Sequence, residues 1–436
     1  MKRFFTFIFT SFLFLSLHSQ SSDTLRLAEA LKIGLENNFS IRLVKQDIKL
    51  AENNATRGNA GFWPSLDVNA SQDVNRQNLS ALFITDDQLE EKGVNSTNFL
   101  AGAQLNWTLF DGLRMFITYD KLQELRALGV LQSQLTIENT LAELILTYYA
   151  LIEQQQRIGV WEQSLALSKE RAQLARDKFL LGSASKREQL LAEVDVNADR
   201  SELLRQQNQL ELLKAQMNRL LGREAAIDFE VEKGIGLREK MGFQRLKEKS
   251  LRQNPGLTLA RQQQRIAELS RQEIQAERYP RLAANLGYTY NRSTAEAGFL
   301  LSNQVSGVNA GISLNANLFN GLNLRRRLQN ARLQVETSRI QVEDLENQID
   351  SDLLMAYRRY ENAWQLLELE EQNVSVSRQN LDIARQTYEV GELSAIEFRE
   401  AQRNQVATEN RLIEARYLVK QSEIELLRLA GAVVGE

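Results

Sequence analysis

Apolar positions along this chain keep a helical period for long stretches, give way to strict alternation, and then return to the helical period. From Leu25 to about Ala60, and from Leu246 to about Glu277, apolar side chains recur at helical spacing, and Pro64 and Pro280 follow as at helix ends. Alternation comes next. Leu66, Val68 and Ala70 stand against Asp67, Asn69 and Ser71, and Phe99, Ala101, Ala103, Leu105, Trp107 and Leu109 stand against Leu100, Gly102, Gln104, Asn106 and Thr108. Leu282, Ala284, Leu286 and Tyr288, then Val308, Ala310, Ile312, Leu314 and Ala316, repeat the pattern. Each predicted strand is apolar on one face and small-polar on the other, with a length near the ~10 residues of a transmembrane β-strand. A soluble sandwich would also alternate, but these polar faces carry asparagine, serine and glycine with few lysines or glutamates. Phe62, Trp63, Phe110, Tyr279 and Phe319, with Trp107 nearby, fall where strand meets helix, as an interfacial girdle or as ordinary core aromatics.

After each second strand the helical period runs unbroken from Leu113 to Leu181 and from Leu322 to Val390, 69 residues each. At ~1.5 Å per residue that is roughly 100 Å, more than one globular domain holds. Leu144, Tyr148, Leu151, Ile158, Leu165, Ala172, Ala175 and Phe179 keep coiled-coil spacings, as do Leu353, Tyr357, Tyr360, Leu367, Val374, Leu381, Ala384 and Tyr388. Ala142, Ile145, Tyr149, Ile152 and Ala166 form a second stripe, and a helix with two seams has two neighbours. Gly182 and Gly391 suit the left-handed residue that ends a helix. Ser185 with Glu188, and Ser394 with Glu397, have capping-box spacing. Each long helix is therefore predicted to turn at a tight hairpin into a shorter return helix, about Lys186 to Leu221 and Ala395 to Leu429. The helix preceding the strands is expected to stack end to end on that return helix.

These patterns come in two copies. Phe110-Asp111-Gly112 returns as Phe319-Asn320-Gly321, and Tyr148, Arg176, Gly182, Ser185, Ala192 and Gly222 return as Tyr357, Arg385, Gly391, Ser394, Ala401 and Gly431, all at an offset of 209. Leu35, Asn38, Pro64 and Leu66 match Leu251, Asn254, Pro280 and Leu282 at 216. The expected organisation is a first repeat over 24–222, a linker over 223–242 and a second repeat over 243–431. The seven extra residues of the first repeat are expected in an exposed loop from about Gln77 to Val94, longer than its partner around Arg292 to Asn303. Asp86, Asp87, Glu90 and Glu91 then read as solvated loop acids, not as a catalytic pair.

Composition narrows the chemistry. Only 3 prolines and 22 glycines punctuate 436 residues, which fits long elements. Lysine plus arginine number 53 against 56 acids, so no broad field points to a nucleic-acid partner. Lys2 and Arg3 precede an apolar stretch from Phe4 to Leu17 and the small polar run Ser19 to Ser22, the pattern of an export signal over 1–20. Its removal discards His18, the single histidine, and cysteine is absent, so no triad, imidazole metal site or thiol chemistry is expected, nor any cofactor. No later segment has the ~20 apolar residues of a spanning helix. Four strands cannot hide their edges in lipid, so two, three or four chains must share a barrel.

The chain resembles the TolC-type outer-membrane efflux proteins over essentially its whole mature length. The resemblance rests on the two-fold repeat, on Leu109 to Gly112 and Leu318 to Gly321, on Asn254-Pro255 and Trp63-Pro64, and on Tyr388-x-x-Gly391-x-x-Ser394 continuing through Glu397, Glu400 and Ala401. It implies a mixed α and β fold: long antiparallel coiled-coil helices forming a periplasmic α-barrel, plus four transmembrane strands per chain in a 12-stranded barrel shared by a homotrimer. It also implies outer-membrane lipid around the barrel, a periplasmic membrane-fusion adaptor, and an inner-membrane pump or ABC exporter. Glu397 and Glu400 match the acids of the family's periplasmic gate. The hairpin tips, Gly182, Ser183 and Ser185 with Gly391, Glu392 and Ser394, lie farthest from the strands and are the expected adaptor-docking surface. Two departures stand out: Leu393 occupies a position that is often basic in relatives, and no cysteine is present to carry a lipid. The expected function is passive conduction. A periplasmic adaptor or scaffolding coiled coil is the other reading, although adaptors have one hairpin and this chain has two.

Overall fold

Two glycine-linked reversals and two stretches of alternation set the element order of the computed structural model, which describes residues 24–82, 84, 86–298 and 300–432. In chain order the elements are β1 (Thr24–Leu25), α1 (Leu27–Asn37), α2 (Phe39–Asn54), β2 (Ser65–Leu82), β3 (Gln88–Phe110), α3 (Arg114–Leu180), α4 (Lys186–Leu220), β4 (Glu230–Val231), α5 (Phe243–Gln253), α6 (Pro255–Ala276), β5 (Arg281–Ala295), β6 (Ser302–Asn315), α7 (Asn323–Val390) and α8 (Ala395–Leu429). The expected export signal lies outside the described residues. Two compact bodies emerge. One comprises the described residues up to Phe39 with Thr140–Lys240 and Tyr357–Glu425; the other comprises the described residues of Ser40–Asn139 and Met241–Ala356 and those from Leu426.

The second body carries an antiparallel sheet in the order β2-β3-β5-β6. Its register keeps the apolar alternation on one face: Leu66 is opposite Leu105, Leu105 opposite Leu286, and Leu286 opposite Ala310. Val68, Val308, Ile312 and Leu314 on that face are exposed. The other face is built from asparagine against glycine, with Gly287 opposite Asn309 and Asn285 opposite Gly311. A Cβ on Gly287 would lie 2.7 Å from the Asn309 side chain, so the small residue makes room for the amide.

Three expectations need correction. The strands are longer than a bilayer requires, at 18, 23, 15 and 14 residues. The seven-residue excess is not a loose loop: Gln77 to Val94 is mostly paired, with Leu79 opposite Glu91 and Leu82 opposite Gln88. A bulge between Gln77 and Leu79 absorbs the extra residue, and Asn78 there accepts the Gly93 amide at 2.9 Å. Glu90 and Glu91 therefore sit on a strand, and only Asp86, at φ 62°, and Asp87 belong to the turn. Finally, the helix before each strand pair is broken, at Asn38 and at Asn254.

Those breaks have one cause in both copies. The Asn38 amide donates to the Leu220 carbonyl at 2.7 Å, and the Asn254 amide donates to the Leu429 carbonyl at 2.9 Å, closing the free end of each return helix. Asn254 also accepts the Leu257 amide and so starts α6. Gly222 and Gly431 lie at these joints at positive φ, and a Cβ on either would come within 2.4 Å of a backbone carbonyl, that of Asn37 or Gln253.

The first body is helical. Leu144, Tyr148, Leu151, Leu165 and Ala175 of α3 are buried, as are Tyr360, Leu367, Val374, Ala384 and Tyr388 of α7. Ala166 of the expected second stripe is exposed, and Ser164 and Ser168 are buried beside it. The expected linker is packed: Phe229, Val231 and Ile235 join Leu25, Leu144 and Tyr148 in one core, and β4 pairs in parallel with β1. The Tyr148 hydroxyl, buried in that core, donates to the Leu25 carbonyl at 2.9 Å.

Candidate functional sites at the hairpin tips and the strand–helix junctions

Each hairpin tip ends a long helix by the same device. Gly182 at φ 75° and Gly391 at φ 89° turn the chain, and the next amides reach back six residues inclusive, Ser183 to the Lys178 carbonyl and Glu392 to the Thr387 carbonyl. The restart differs between copies. In the second, Ser394 and Glu397 form a reciprocal capping box, with the Ser394 amide and hydroxyl donating to the Glu397 carboxylate at 3.0 and 2.6 Å and the Glu397 amide donating back at 3.3 Å. In the first, Ser185 accepts the Glu188 amide at 3.2 Å, but the Glu188 carboxylate accepts the Tyr388 hydroxyl at 3.3 Å. That bond ties the two tips together. Burial, and then the Glu188 charge, push the Tyr388 phenol up to about 12. Tyr388 also stacks on Phe398 with ring centres 5.1 Å apart and carries Lys178 over its face at 4.5 Å.

The candidate gate acids are both exposed at the start of α8. The Ser394 hydroxyl and then its backbone amide hold the Glu397 carboxyl below the usual carboxylate range, so its helix-capping role is complete within one chain. Glu400, one turn on, lines a groove of about 810 Å³ between the tips, together with Arg187, Leu393 and Arg403.

Behind that groove lies a cluster that the sequence analysis did not single out. Arg399 of α8 grips Asp199 of α4 through two bonds, at 2.9 and 2.6 Å, and its Nε lies 3.4 Å from Asp195. Arg171 of α3 pairs with Asp195. Ser164 and Ser168 donate to Asp199 at 3.1 and 2.6 Å, and Gln402 donates to the Ser164 carbonyl at 2.9 Å. The Asp199 side chain is 2% exposed, and burial alone would raise its pKa. The hydrogen bonds from Arg399, Ser168 and Ser164 win, and its carboxyl is held below the ordinary value. The available signal was positional: Arg399 and Gln402 lie on the inner face of α8 with Phe398 and Val406.

At the junctions the aromatics separate into two groups. Phe62 packs edge-on against Phe116, centres 4.9 Å apart, and its carbonyl accepts the Trp107 indole at 3.0 Å. Phe62 is half-buried, whereas Trp63, Trp107, Phe110, Tyr279 and Phe319 are exposed. A Cβ on Gly112 would meet the Ala276 carbonyl at 2.5 Å and Tyr279 at 2.7 Å, whereas one on Gly321 would meet nothing closer than the Asn323 side chain at 3.8 Å, so what the two glycines of the repeated step share is the left-handed backbone, at φ 74° and 65°. Leu113 and Leu322 follow their glycines at φ 68° and 61°, so both copies hold a leucine in the left-handed region.

With this geometry in hand, the sequence matches the outer membrane efflux protein family over residues 30–223 and 246–432. The chain belongs to that family. No curated protein sequence matches it. Among solved structures, the efflux protein shares its fold with the outer-membrane channel OprN at a TM-score of 0.76 and 18% identity, covering 93% of this chain and 90% of that one. The Campylobacter jejuni outer membrane channel CmeC gives 0.77 and 14%, covering 93% and 85%. The Neisseria gonorrhoeae outer membrane channel MtrE, in its open state, gives 0.73 and 15%, covering 94% and 89%. This efflux protein is thus a transport protein of the outer membrane with a helical periplasmic part, not an enzyme. No described helix is long and apolar enough to cross a membrane. The adaptor reading falls with the family match.

Proposed function

We propose that three copies of this chain form a channel-tunnel that passively conducts substrates from an inner-membrane transporter, through a periplasmic adaptor, to the exterior. The observation that carries it is the sheet of four strands, apolar on one face and asparagine, serine and glycine on the other, with β2 and β6 each paired on one side only. Unpaired backbone in lipid costs several kcal/mol per group, so the edges call for neighbours. Three copies would supply the 12 strands implied by the family resemblance. The repeats over 24–222 and 243–431, the linker over 223–242 and a leader over 1–20 are the organisation this reading uses.

In it, outer-membrane lipid surrounds the apolar strand faces, and Phe62, Trp63, Trp107, Phe110, Tyr279 and Phe319 mark the interface. The adaptor docks on the tips around Gly182, Ser183, Ser185, Gly391, Glu392 and Ser394, where Leu181, Val390 and Ile396 stand exposed. The inner-membrane partner is a pump or an ABC exporter. Glu397 and Glu400 of each chain form the periplasmic gate, a ring of carboxylates that favours cations and binds divalent metals. With Leu393 in place of a basic residue, the tips close through Tyr388 and Glu188.

Planar-bilayer recordings of the detergent-extracted protein test this reading. The wild type is expected to be cation-selective and blocked by divalent cations from the periplasmic side, and Glu397→Gln/Glu400→Gln to lose most of both properties. Unchanged selectivity and block would remove the gate assignment, and absence of any conductance would remove the channel reading.

A further inference from the structure

The two strand-to-helix junctions are built alike and filled differently. In the first repeat the rings of Phe62 and Phe116 meet edge-on, centres 4.9 Å apart, and Tyr119 packs against Phe62 at 6.2 Å. The repeat offsets, 216 before the strands and 209 after them, carry Phe62, Phe116 and Tyr119 to Arg278, Arg325 and Leu328. Two rings in contact in one copy are thus replaced by two guanidinium groups in the other.

Those two arginines line one groove of about 630 Å³, joined by Arg332 two turns along α7. All three are exposed. The rest of the lining is amide and apolar, with no carboxylate. Glu277, beside Arg278 in the chain, is already gripped by both terminal nitrogens of Arg327. Among the described residues, Arg278, Arg325 and Arg332 have no ion-pair or side-chain hydrogen-bond partner. Like charges gathered without a counter-charge repel one another, and an anion that bridges them removes that cost. Leu318, Phe319 and Leu322 of the same groove are 95%, 78% and 61% exposed. A free phosphate would satisfy the arginines and leave this apolar surface in water, whereas a lipid supplies a phosphate and an acyl chain together. The level fits as well. Trp107, on the apolar face of β3, reaches the Phe62 carbonyl, so the place that Arg278 takes in the second repeat adjoins the face that the channel reading puts in lipid.

We propose that Arg278, Arg325 and Arg332 bind the phosphate of an anionic lipid headgroup in the periplasmic leaflet of the outer membrane, with the acyl chains against Leu318, Phe319 and Leu322. This rests on the reading that the strands lie in the outer membrane, and the site is complete within one chain. Arginine suits the task because its planar fork takes two phosphate oxygens at once. The first repeat, with phenylalanine at both places, offers no such site there.

Native mass spectrometry of the full-length, detergent-extracted protein, titrated with phosphatidylglycerol, phosphatidylcholine or inorganic phosphate, tests the proposal. Phosphatidylglycerol is expected to be retained roughly ten-fold above phosphatidylcholine, and an excess of inorganic phosphate to displace little of it. Arg278→Gln/Arg325→Gln should lose that preference. So should Arg278→Phe/Arg325→Phe, which installs the aromatic pair of the first repeat and guards against a misfolded variant. Arg245→Gln/Arg252→Gln removes the same charge from exposed positions of α5 and should keep the preference within about two-fold of wild type. No preference in the wild type, or an undiminished one in either groove variant, overturns the site. An equal loss in the α5 variant overturns it in favour of general charge attraction, and full displacement by inorganic phosphate overturns the lipid in favour of a free anion. The same spectra give the number of chains. A single chain that still retains phosphatidylglycerol removes the assembly and leaves this site, and an oligomer without the preference does the reverse.

Discussion

At the scale of single residues, Arg399 and Asp199 make the sharpest case. Removing one partner of a buried ion pair leaves the other charge without compensation, which costs about 3–5 kcal/mol. Arg399→Leu is therefore expected to lower the thermal unfolding midpoint of the helical body, followed by circular dichroism. The double variant Arg399→Leu/Asp199→Thr installs the residues that the other repeat carries at these places, and it is expected to recover at least half of the loss. The pH dependence follows from the sign of the shift. The folded-state pKa of Asp199 is depressed, so its contribution is fully present above the unfolded value, about 3.9, and disappears as pH falls through the lower folded value. Unfolding midpoints should hold steady from neutral pH to about 4 and then drop, with a smaller drop in the double variant. Glu397 has the same sign through Ser394. Its pairing is exposed and adds little.

At the scale of elements, four glycines with the same backbone conformation have different consequences when replaced. Gly182 and Gly391 have no heavy atom within 4 Å of an added Cβ, so alanine there costs only the left-handed conformation, about 1–2 kcal/mol. Gly222 and Gly431 would drive a Cβ to 2.4 Å from a carbonyl, so alanine must also open the joint at Asn38 or Asn254. Yields of assembled protein after mild detergent extraction should stay near wild type for Gly182→Ala and fall several-fold for Gly431→Ala. The long helices, the hairpins and the capping boxes were legible because each rests on a local rule: a repeating apolar stripe, a glycine, and a serine followed by an acid. The breaks at Asn38 and Asn254 were not. Both asparagines were visible as repeat partners, but their role depends on a carbonyl 182 and 175 residues away. The same holds for the tips. Ser394 with Glu397 was readable from spacing, whereas Glu188 leaves its own box for Tyr388, 200 residues away. The long β2–β3 hairpin escapes the alternation because Gln72, Arg76, Asn78 and Ser80 hold the parity that Leu66 and Val68 hold at its base, while Leu79 and Ala81 fall on the other.

At the scale of the whole molecule, that hairpin makes a further expectation concrete. A strand needs ~9–11 residues to cross the bilayer, and β3 has 23. The excess lies at the end remote from the helices, so an epitope inserted after Asp87 should bind antibody on intact cells. Binding only after outer-membrane rupture would reverse the orientation. The small parallel sheet of β1 and β4 bears on how such a chain reaches that state. Thr24 pairs with Glu230, so the start of the first repeat is held by a strand that follows its end. The core around Leu25 and Tyr148 likewise includes Phe229 and Val231. A chain emerging from its N-terminus can form helix and hairpin locally, but it cannot complete this core until more than two hundred residues have followed, and closing so long a loop is slow. Late closure keeps the growing chain extensible, which is what passage across one membrane before assembly in another requires.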